Sequence, residues 1–127
     1  KGGIEGSLIY FRKVFMGCGL TGHSVKHVPD VQKGSAAKRL NLFLMWMVRS
    51  DDRQVHFGLW RDISQAQLMI PLDTHVANVA RTLGLLKRKT NDWQAVTELT
   101  AELRSLDPKD PCKFDFSLFG LGLFDRI

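Results

Sequence analysis

Residues 42–48 are apolar without interruption, and this run constrains the fold more than any other part of the sequence. The run is far shorter than the roughly 20 residues that a membrane-spanning helix needs. Ser35 precedes it and is a residue type that caps helices, so we predict a helix that opens near Ser35. A helix that is apolar on all sides must be enclosed by other elements. This helix is therefore predicted to be the central one of its domain, with Trp46 in the core.

Other segments also place apolar residues at helical spacing, and no segment alternates with the period of a strand. Asn91 or Asp92 is the expected cap of one helix, and Gly84 the expected end of another. The last helix is predicted at 112–119, before Gly120 and Gly122 loosen it. We therefore predict an all-α bundle that forms a single domain over residues 1–127. The chain begins without a methionine, and we expect it to be a fragment of a longer one. The predicted helical segments are 7–16, 35–48, 73–83, 92–106 and 112–119.

Composition narrows the function classes. A net charge of +5 and a pI near 9.5 favour a polyanionic partner. Two cysteines cannot form a disulfide framework, which favours a reducing cytoplasm, and no apolar run suggests a membrane partner. Cys18, His23 and His27 have a spacing compatible with zinc, but no second cysteine or histidine pair lies nearby. We therefore predict neither a metal nor a cofactor.

Two charged residues stand at the starts of apolar helices. Asp73 follows Ile70-Pro71-Leu72 and precedes a helical pattern, so it is the expected N-cap, held ionised by backbone N–H groups. Lys38 lies at the head of the apolar run, where neighbouring apolar side chains favour the neutral, nucleophilic amine. If the two helices align, both groups share one cleft and suit attack at an anomeric carbon. The plainer interpretation is a cap and a solvated lysine.

Several longer motifs carry a resemblance to a bacterial protein family of unknown function. The family pattern reads S-x-x-K-R-L-N-x-F-L-x-W-M-V-R, then G-L-W, P-L-D-x-H and R-x-L-G-L, and ends with D-P-x-D-P-x-K-x-D-F-x-L-F-G-L-G. All these stretches occur here between Ser35 and Gly122. Asp73-Thr74-His75 and the preceding lysine also resemble, more distantly, the helix-hairpin-helix DNA glycosylases of the endonuclease III superfamily. The run from Lys38 to Leu44 is similar to that of the archaeal 8-oxoguanine glycosylases.

The glycosylase resemblance implies that Lys38 is the nucleophile that attacks the sugar and that Asp73 activates it. The resemblance is incomplete at the hairpin, where residues 28–34 contain one glycine and extra residues precede Lys38. Residues 49–67 look like an insertion relative to that superfamily. The four-cysteine iron–sulfur loop of the endonuclease III branch is absent from the sequence.

Candidate nucleic-acid contacts follow from the physics of phosphate binding. Backbone N–H groups at Gly34 and Ser35 are expected to hold one phosphate, with charge added by Lys33 and Arg39. The run Lys87, Arg88 and Lys89 is a second candidate, although such a run is also typical of a solvated loop. Trp60, in a loop, is the preferred residue for stacking on an extruded base, and His75 is a supporting or core-edge residue rather than a general base. Asp115 and Lys113 are expected to be solvated or paired, and Arg49 to pair with Asp51 or with terminal carbonyls.

The leading hypothesis is a DNA-repair glycosylase-like protein that acts on damaged duplex DNA through Lys38 and Asp73. The alternative is a non-catalytic nucleic-acid-binding helical module. A third interpretation is an interaction domain in which Lys38 and Asp73 form only an internal ion pair.

Overall fold

Helices form the whole regular structure of the described residues. The computed structural model describes residues 3–19, 22, 27–50 and 56–124, and within them it contains helices and no strand. The predicted all-α class is therefore confirmed. The α-helices are α1 (Gly3–Met16), α2 (Lys38–Val48), α3 (Thr74–Thr82), α4 (Trp93–Leu106) and α5 (Asp115–Phe124). Short 3₁₀ turns occur at Val31–Lys33, Gln65–Gln67 and Pro111–Phe114.

The core is centred on α3 and α4. The Asp92 side chain accepts a hydrogen bond from the Ala95 N–H and caps α4, which decides between the two predicted caps. Gly84 has a φ of 77° directly after the end of α3, as the sequence predicts. Burying one face of each helix removes apolar area from water, and this burial is the main stabilising term of the fold. The buried side chains of the two helices include Val76, Ala77, Val79, Ala80, Val96, Leu99 and Leu103.

Helix α2 begins later than predicted, at Lys38. Its N-cap is Ala37, which has a left-handed φ of 51° and provides no side-chain cap. The Ser35 hydroxyl instead accepts a hydrogen bond from the Ala37 N–H at 3.2 Å, inside a turn that precedes the helix. The prediction that Ser35 caps the helix is therefore wrong. Serine stabilises this local turn as readily as it stabilises a helix start.

Helix α2 is also not enclosed on all sides. Met45 and Val48 are buried, whereas Phe43 and Trp46 keep 43% and 42% of their surface exposed. The prediction that Trp46 belongs to the core is wrong. These exposed apolar residues border open cavities. An apolar pattern in the sequence does not distinguish the wall of a cavity from a closed core, so the pattern indicated a fully buried helix.

Helices α3 and α5 pack closely together. A Cβ atom on Gly122 would lie 3.0 Å from both the Cβ and the carbonyl oxygen of His75. The expectation that Gly120 and Gly122 loosen the last helix is wrong, because α5 continues through both of them to Phe124. Gly122 permits the two helices to approach closely, because glycine has no side chain that would separate them.

An ion pair connects the end of α2 to the segment that precedes α5. The Arg49 guanidinium makes two hydrogen bonds to the Asp110 carboxylate, at 2.9 and 2.7 Å, and a third contact of 3.1 Å to Nδ1 of His56. Arg49 was expected to pair with Asp51 or with terminal carbonyls. Asp51 lies outside the described residues, and the structure shows Asp110 as a main partner. Two parallel bonds of this kind fix the orientation of both side chains.

Candidate functional site

A cavity of about 300 Å³ opens between α2, the segment that leads into α3, and α5. Three ionisable groups border it: Lys38 from α2, Asp73 from the start of α3 and Asp115 from the start of α5. The rest of its wall is apolar and includes two phenylalanines and a tryptophan. The apolar wall consists of Leu42, Met45, Trp46, Pro71, Phe116 and Phe119.

Asp73 is held rigidly at the cavity edge. Its carboxylate Oδ1 accepts a hydrogen bond of 2.8 Å from the Val76 N–H, which confirms it as the N-cap of α3. The buried segment leading to it is anchored on α4, since the Ile70 N–H donates to the Thr100 hydroxyl at 3.1 Å. Arg104 also donates to the carbonyl of Leu68. Helix packing therefore determines where this carboxylate lies.

Lys38 is the first residue of α2, and its side chain is exposed. The structure confirms that Lys38 and Asp73 border one cleft. The two side chains are both described, and they do not approach within the 4.0 Å of an ion pair. The interpretation of Lys38 and Asp73 as an internal ion pair is therefore wrong. The lysine amine faces the cleft without a direct carboxylate partner among the described residues.

Asp115 is the ionisable group of the cleft that the sequence interpretation missed. It was expected to be solvated or paired, but it is half-buried and borders the cavity. Burial raises the pKa of its carboxyl to about 6, and the negative charge of Asp73 adds to this effect, while Arg49 and Lys38 oppose it. The available signal was helical spacing: Asp115 and Phe119 stand four residues apart and share one face of α5.

Trp46, rather than Trp60, contributes the indole of the cleft. Trp60 lies edge-on to Phe43 with ring centroids 5.4 Å apart and borders a separate apolar groove between α1 and α2. Trp60 therefore lies outside the cleft of Lys38 and Asp73, and its stacking on an extruded base stays a prediction. Loop position favoured Trp60 in the sequence, whereas the exposed side of α2 places Trp46 beside Lys38.

His75 contacts the cleft wall from outside. Its imidazole is exposed and lies edge-on to the Phe119 ring, with centroids 5.7 Å apart and planes at 83°. Phe119 borders the cavity, so His75 helps to hold that ring in position. Its role as a supporting or core-edge residue, rather than a general base, stays a prediction.

The backbone N–H groups of the predicted phosphate site before α2 already donate hydrogen bonds within the chain. The Gly34 N–H donates to the Val31 carbonyl and the Ser35 N–H to the Asp30 carbonyl, both at 3.0 Å. These N–H groups are occupied, so the expectation that they are available to a phosphate is wrong. Lys33 remains exposed nearby. A second cavity, of about 540 Å³, lies beside the first and is lined by His27, Pro29, Ser35, Ala37, Lys38, Arg39 and Leu40.

The basic run at 87–89 is partly a structural element. The Arg88 guanidinium makes two hydrogen bonds to Asp92, at 2.8 and 2.6 Å, and this pairing lowers the pKa of Asp92 to about 2. The backbone N–H groups of Lys87 and Arg88 donate to the Glu98 carboxylate. Arg88 therefore helps to hold the loop against α4, whereas the exposed side chains of Lys87 and Lys89 make no ion pair with any of the described residues.

The cysteines and histidines do not form a metal site within the described part of the chain, where no group of three metal-ligating side chains occurs. Cys18 and His27 are exposed, and His23 lies outside the described residues. Cys112 is buried, and burial raises the pKa of its thiol to about 12. It is therefore a core residue rather than a reactive thiol.

Over the same described residues, none of the helices has the length and apolar character needed to cross a bilayer.

The fold and the cleft together define an all-helical protein in which an amine and two carboxylates border one apolar pocket. The chain belongs to the family described as "Protein of unknown function (DUF2400)", whose model matches residues 1–124. The predicted resemblance to a family of unknown function is therefore confirmed. No significant match to the chain was found among curated proteins or among solved structures.

Proposed function

We propose that this protein is a DNA-repair glycosylase-like enzyme that acts on the sugar of an extruded, damaged base through Lys38 and Asp73. The observation that supports this proposal is the single cleft bordered by the Lys38 amine, the Asp73 carboxylate and an aromatic wall. Its volume of about 300 Å³ lies at the lower end of the range of small-molecule pockets, about 300–1,000 Å³. A flat base suits a pocket of this size and lining.

Base removal needs an extruded nucleotide, because the glycosidic carbon is inaccessible inside a stacked duplex. In the proposed reaction, the neutral Lys38 amine attacks C1′ and forms a C–N bond. The bond from C1′ to the base breaks, its electron pair leaves with the base, and the base takes up the proton that the amine nitrogen releases. The nitrogen lone pair then forms a C=N bond as the C1′–O4′ bond breaks, and O4′ takes a proton from water, so the product is an open-chain iminium. The Asp73 carboxylate, held in position by its hydrogen bond to the Val76 N–H, stabilises the positive charge that develops on the sugar. The Trp46 and Phe116 rings provide apolar surface for the extruded base.

The surroundings of the cleft suit a polyanion. The chain carries a net charge of +5, and Lys38 borders both the apolar cavity and the adjoining cavity that also contains Ser35 and Arg39. A nucleotide whose base occupies the first cavity would direct its phosphate towards the second. Arg39 is exposed there and offers the planar, multiply donating group that suits phosphate.

Covalent trapping tests this proposal. The protein is incubated with duplexes that contain oxidised bases, deaminated bases or abasic sites, and sodium borohydride is added to reduce any imine. A covalent protein–DNA adduct is expected with at least one duplex, and peptide mapping should place it on Lys38. Lys38→Ala should abolish the adduct, whereas Lys13→Ala, which removes an exposed lysine of α1, should preserve most of it. The absence of an adduct with every duplex would overturn the catalytic proposal.

A non-catalytic nucleic-acid-binding module is the second candidate, and the exposed cations Lys33, Arg39, Lys87 and Lys89 favour it. This module would bind undamaged DNA with an affinity that falls steeply as salt increases. Lys38→Ala and Asp73→Asn would each lower that affinity by less than about tenfold, since neither change removes more than one phosphate contact. Binding that survives both changes, without any trapped adduct, would favour this candidate over the enzyme.

A further inference from the structure

The two carboxylates of the cleft differ in their hydrogen bonds. Asp73 Oδ1 accepts a hydrogen bond from the Val76 N–H, which stabilises its anionic form. The Asp115 carboxyl accepts no hydrogen bond from any of the residues that the structure describes. One carboxyl is therefore held in place by a cap hydrogen bond, whereas the other has no such bond to the described residues. A pair of acids with different environments is typical of sites that separate charge stabilisation from proton transfer.

The charges around Asp115 come from three parts of the chain. Asp73, at the start of α3, faces it with a negative charge, whereas Lys38 on α2 and Arg49 after α2 face it with positive charges. Burial and the charge of Asp73 prevail, so the pKa of this carboxyl is about 6. Near neutral pH the group is therefore present in both protonation states, as an acid–base catalyst requires.

We propose that Asp115 donates the proton that the departing oxygen needs when the Lys38 amine forms an imine with an aldehyde bound in the cleft. This inference rests on the proposed function insofar as the aldehyde in question is the C1′ aldehyde of an abasic sugar. The supporting geometry is the shared cavity, which places Asp115 and Lys38 around one bound molecule with Trp46 and Phe119 in its wall.

The proton balance of the reaction is simple. The neutral Lys38 amine adds to the aldehyde carbon, and a proton moves from nitrogen to oxygen, giving a neutral carbinolamine. Asp115 then transfers its proton to the hydroxyl, the C–O bond breaks, and water leaves. The nitrogen lone pair forms the C=N bond, so the products are an iminium cation, one water and the Asp115 carboxylate. The new anion and the new cation lie in the same cleft, and each stabilises the other.

Asp73 is less suited to this role. Protonating its carboxyl would weaken the hydrogen bond that caps α3, and such a cap contributes about 1 kcal/mol. Asp115 caps no helix with its side chain, so its protonation leaves the helical ends unchanged.

The test measures imine formation without DNA. Propionaldehyde and sodium cyanoborohydride are added to the intact protein between pH 5 and 8, and mass spectrometry follows alkylation of Lys38, with Lys33 and Lys89 as internal references. The wild-type rate at Lys38 should rise with pH and level off near pH 6. It levels off because the falling fraction of protonated Asp115 then offsets the growing fraction of neutral amine.

Asp115→Asn should slow alkylation of Lys38 at least about tenfold below pH 6, and its rate should continue to rise with pH above 6. Asp115→Glu should restore the levelling, and the exposed Asp62→Asn should match the wild type. Alkylation of Lys38 that is unchanged in rate and pH profile by Asp115→Asn would overturn the inference. If that variant does not fold, carbon NMR of the wild-type Asp115 carboxyl decides: a titration midpoint away from the kinetic levelling point overturns the inference.

The outcomes separate this inference from the proposed function. Asp115-dependent imine formation with propionaldehyde, together with no adduct on any damaged DNA, supports the proton role and overturns the DNA substrate. A Lys38 adduct on abasic DNA that forms at the wild-type rate in Asp115→Asn supports the substrate and overturns the proton role.

Discussion

Gly122 lies against His75 so closely that a methyl group at position 122 would come within 3.0 Å of both the Cβ and the carbonyl oxygen of His75. This contact brings α5 onto α3. Asp115 is the first residue of α5 and Asp73 caps α3, so the packing of these two helices determines how the two carboxylates are arranged around the cleft.

Gly122→Ala should destabilise the protein by about 1–3 kcal/mol, because backbone and β-carbon atoms cannot move aside as the end of a flexible side chain can. Gly120→Ala is the matched control. A Cβ at position 120 meets nothing within 4 Å, and alanine favours helices, so this change should be neutral or slightly stabilising. Urea denaturation of both variants provides the comparison. Equal stability of the two variants would show that α5 does not need the close approach.

Asp115→Asn should make the protein more stable at pH 8 but not at pH 4. The folded state raises the pKa of Asp115 from an ordinary 3.8 to about 6, so the folded state binds more protons between these values than the unfolded state. Wild-type stability therefore falls as pH rises through this window, by about 2 kcal/mol after allowance for partial exposure. Asparagine cannot ionise and avoids this loss. Thermal denaturation of the wild type and of Asp115→Asn at pH 4 and pH 8 measures this effect. A stability difference between the two proteins that is the same at both pH values would contradict the prediction.

Asp110→Ala should cost about 3–5 kcal/mol, because the Arg49 side chain is only 10% exposed and would lose its doubly hydrogen-bonded carboxylate. The comparison variant is Asp107→Ala, whose partner Lys113 is 47% exposed. This second pair is more exposed to water than the first, although Asp107 itself is 22% exposed, so its loss should be smaller. Chemical denaturation of the two variants gives the ranking, and the reverse order would show that the Arg49 pair contributes little.

Trp46→Ala should reduce the yield of borohydride-trapped adduct on damaged DNA about tenfold, since stacking on an aromatic ring contributes about 1–3 kcal/mol per base. Trp60→Ala should leave the adduct unchanged, because Trp60 packs on Phe43 outside the cleft. Both indoles are about equally exposed, at 42% and 41%, which makes the two variants a matched pair. A larger loss of adduct with Trp60→Ala would place the bound base elsewhere.

Local signals in the sequence predict much of this fold. Asp73 and Asp92 stand before apolar helical patterns, and both cap their helices as predicted, because capping depends on a few adjacent residues. Ser35 has the same apparent signal and caps no helix, because it lies three residues before the first helical residue, Lys38, and its hydroxyl is used in a turn there. A cap residue therefore predicts a helix start well only when the helical pattern follows it directly.

Local sequence patterns predicted poorly which residues are buried. Trp46 belongs to an unbroken apolar run and is nevertheless exposed to a cavity, whereas Asp115 looks like a surface residue and is half-buried. Both errors have one cause. An apolar pattern shows which residues avoid water on average, but only the packing of distant helices shows where a cleft remains open. The shared cleft of Lys38 and Asp73 could be predicted only on the condition that the two helices align, because both residues stand at helix starts.

The walls of the cleft come from α2, from the segment that leads into α3, and from α5, three parts that lie far apart along the chain. An unfolded or partly assembled chain would still contain every one of these residues and would lack their arrangement. Selective chemistry at Lys38 is therefore a conformational probe: its rate measures the fraction of molecules in which the first, middle and last parts of the chain have come together.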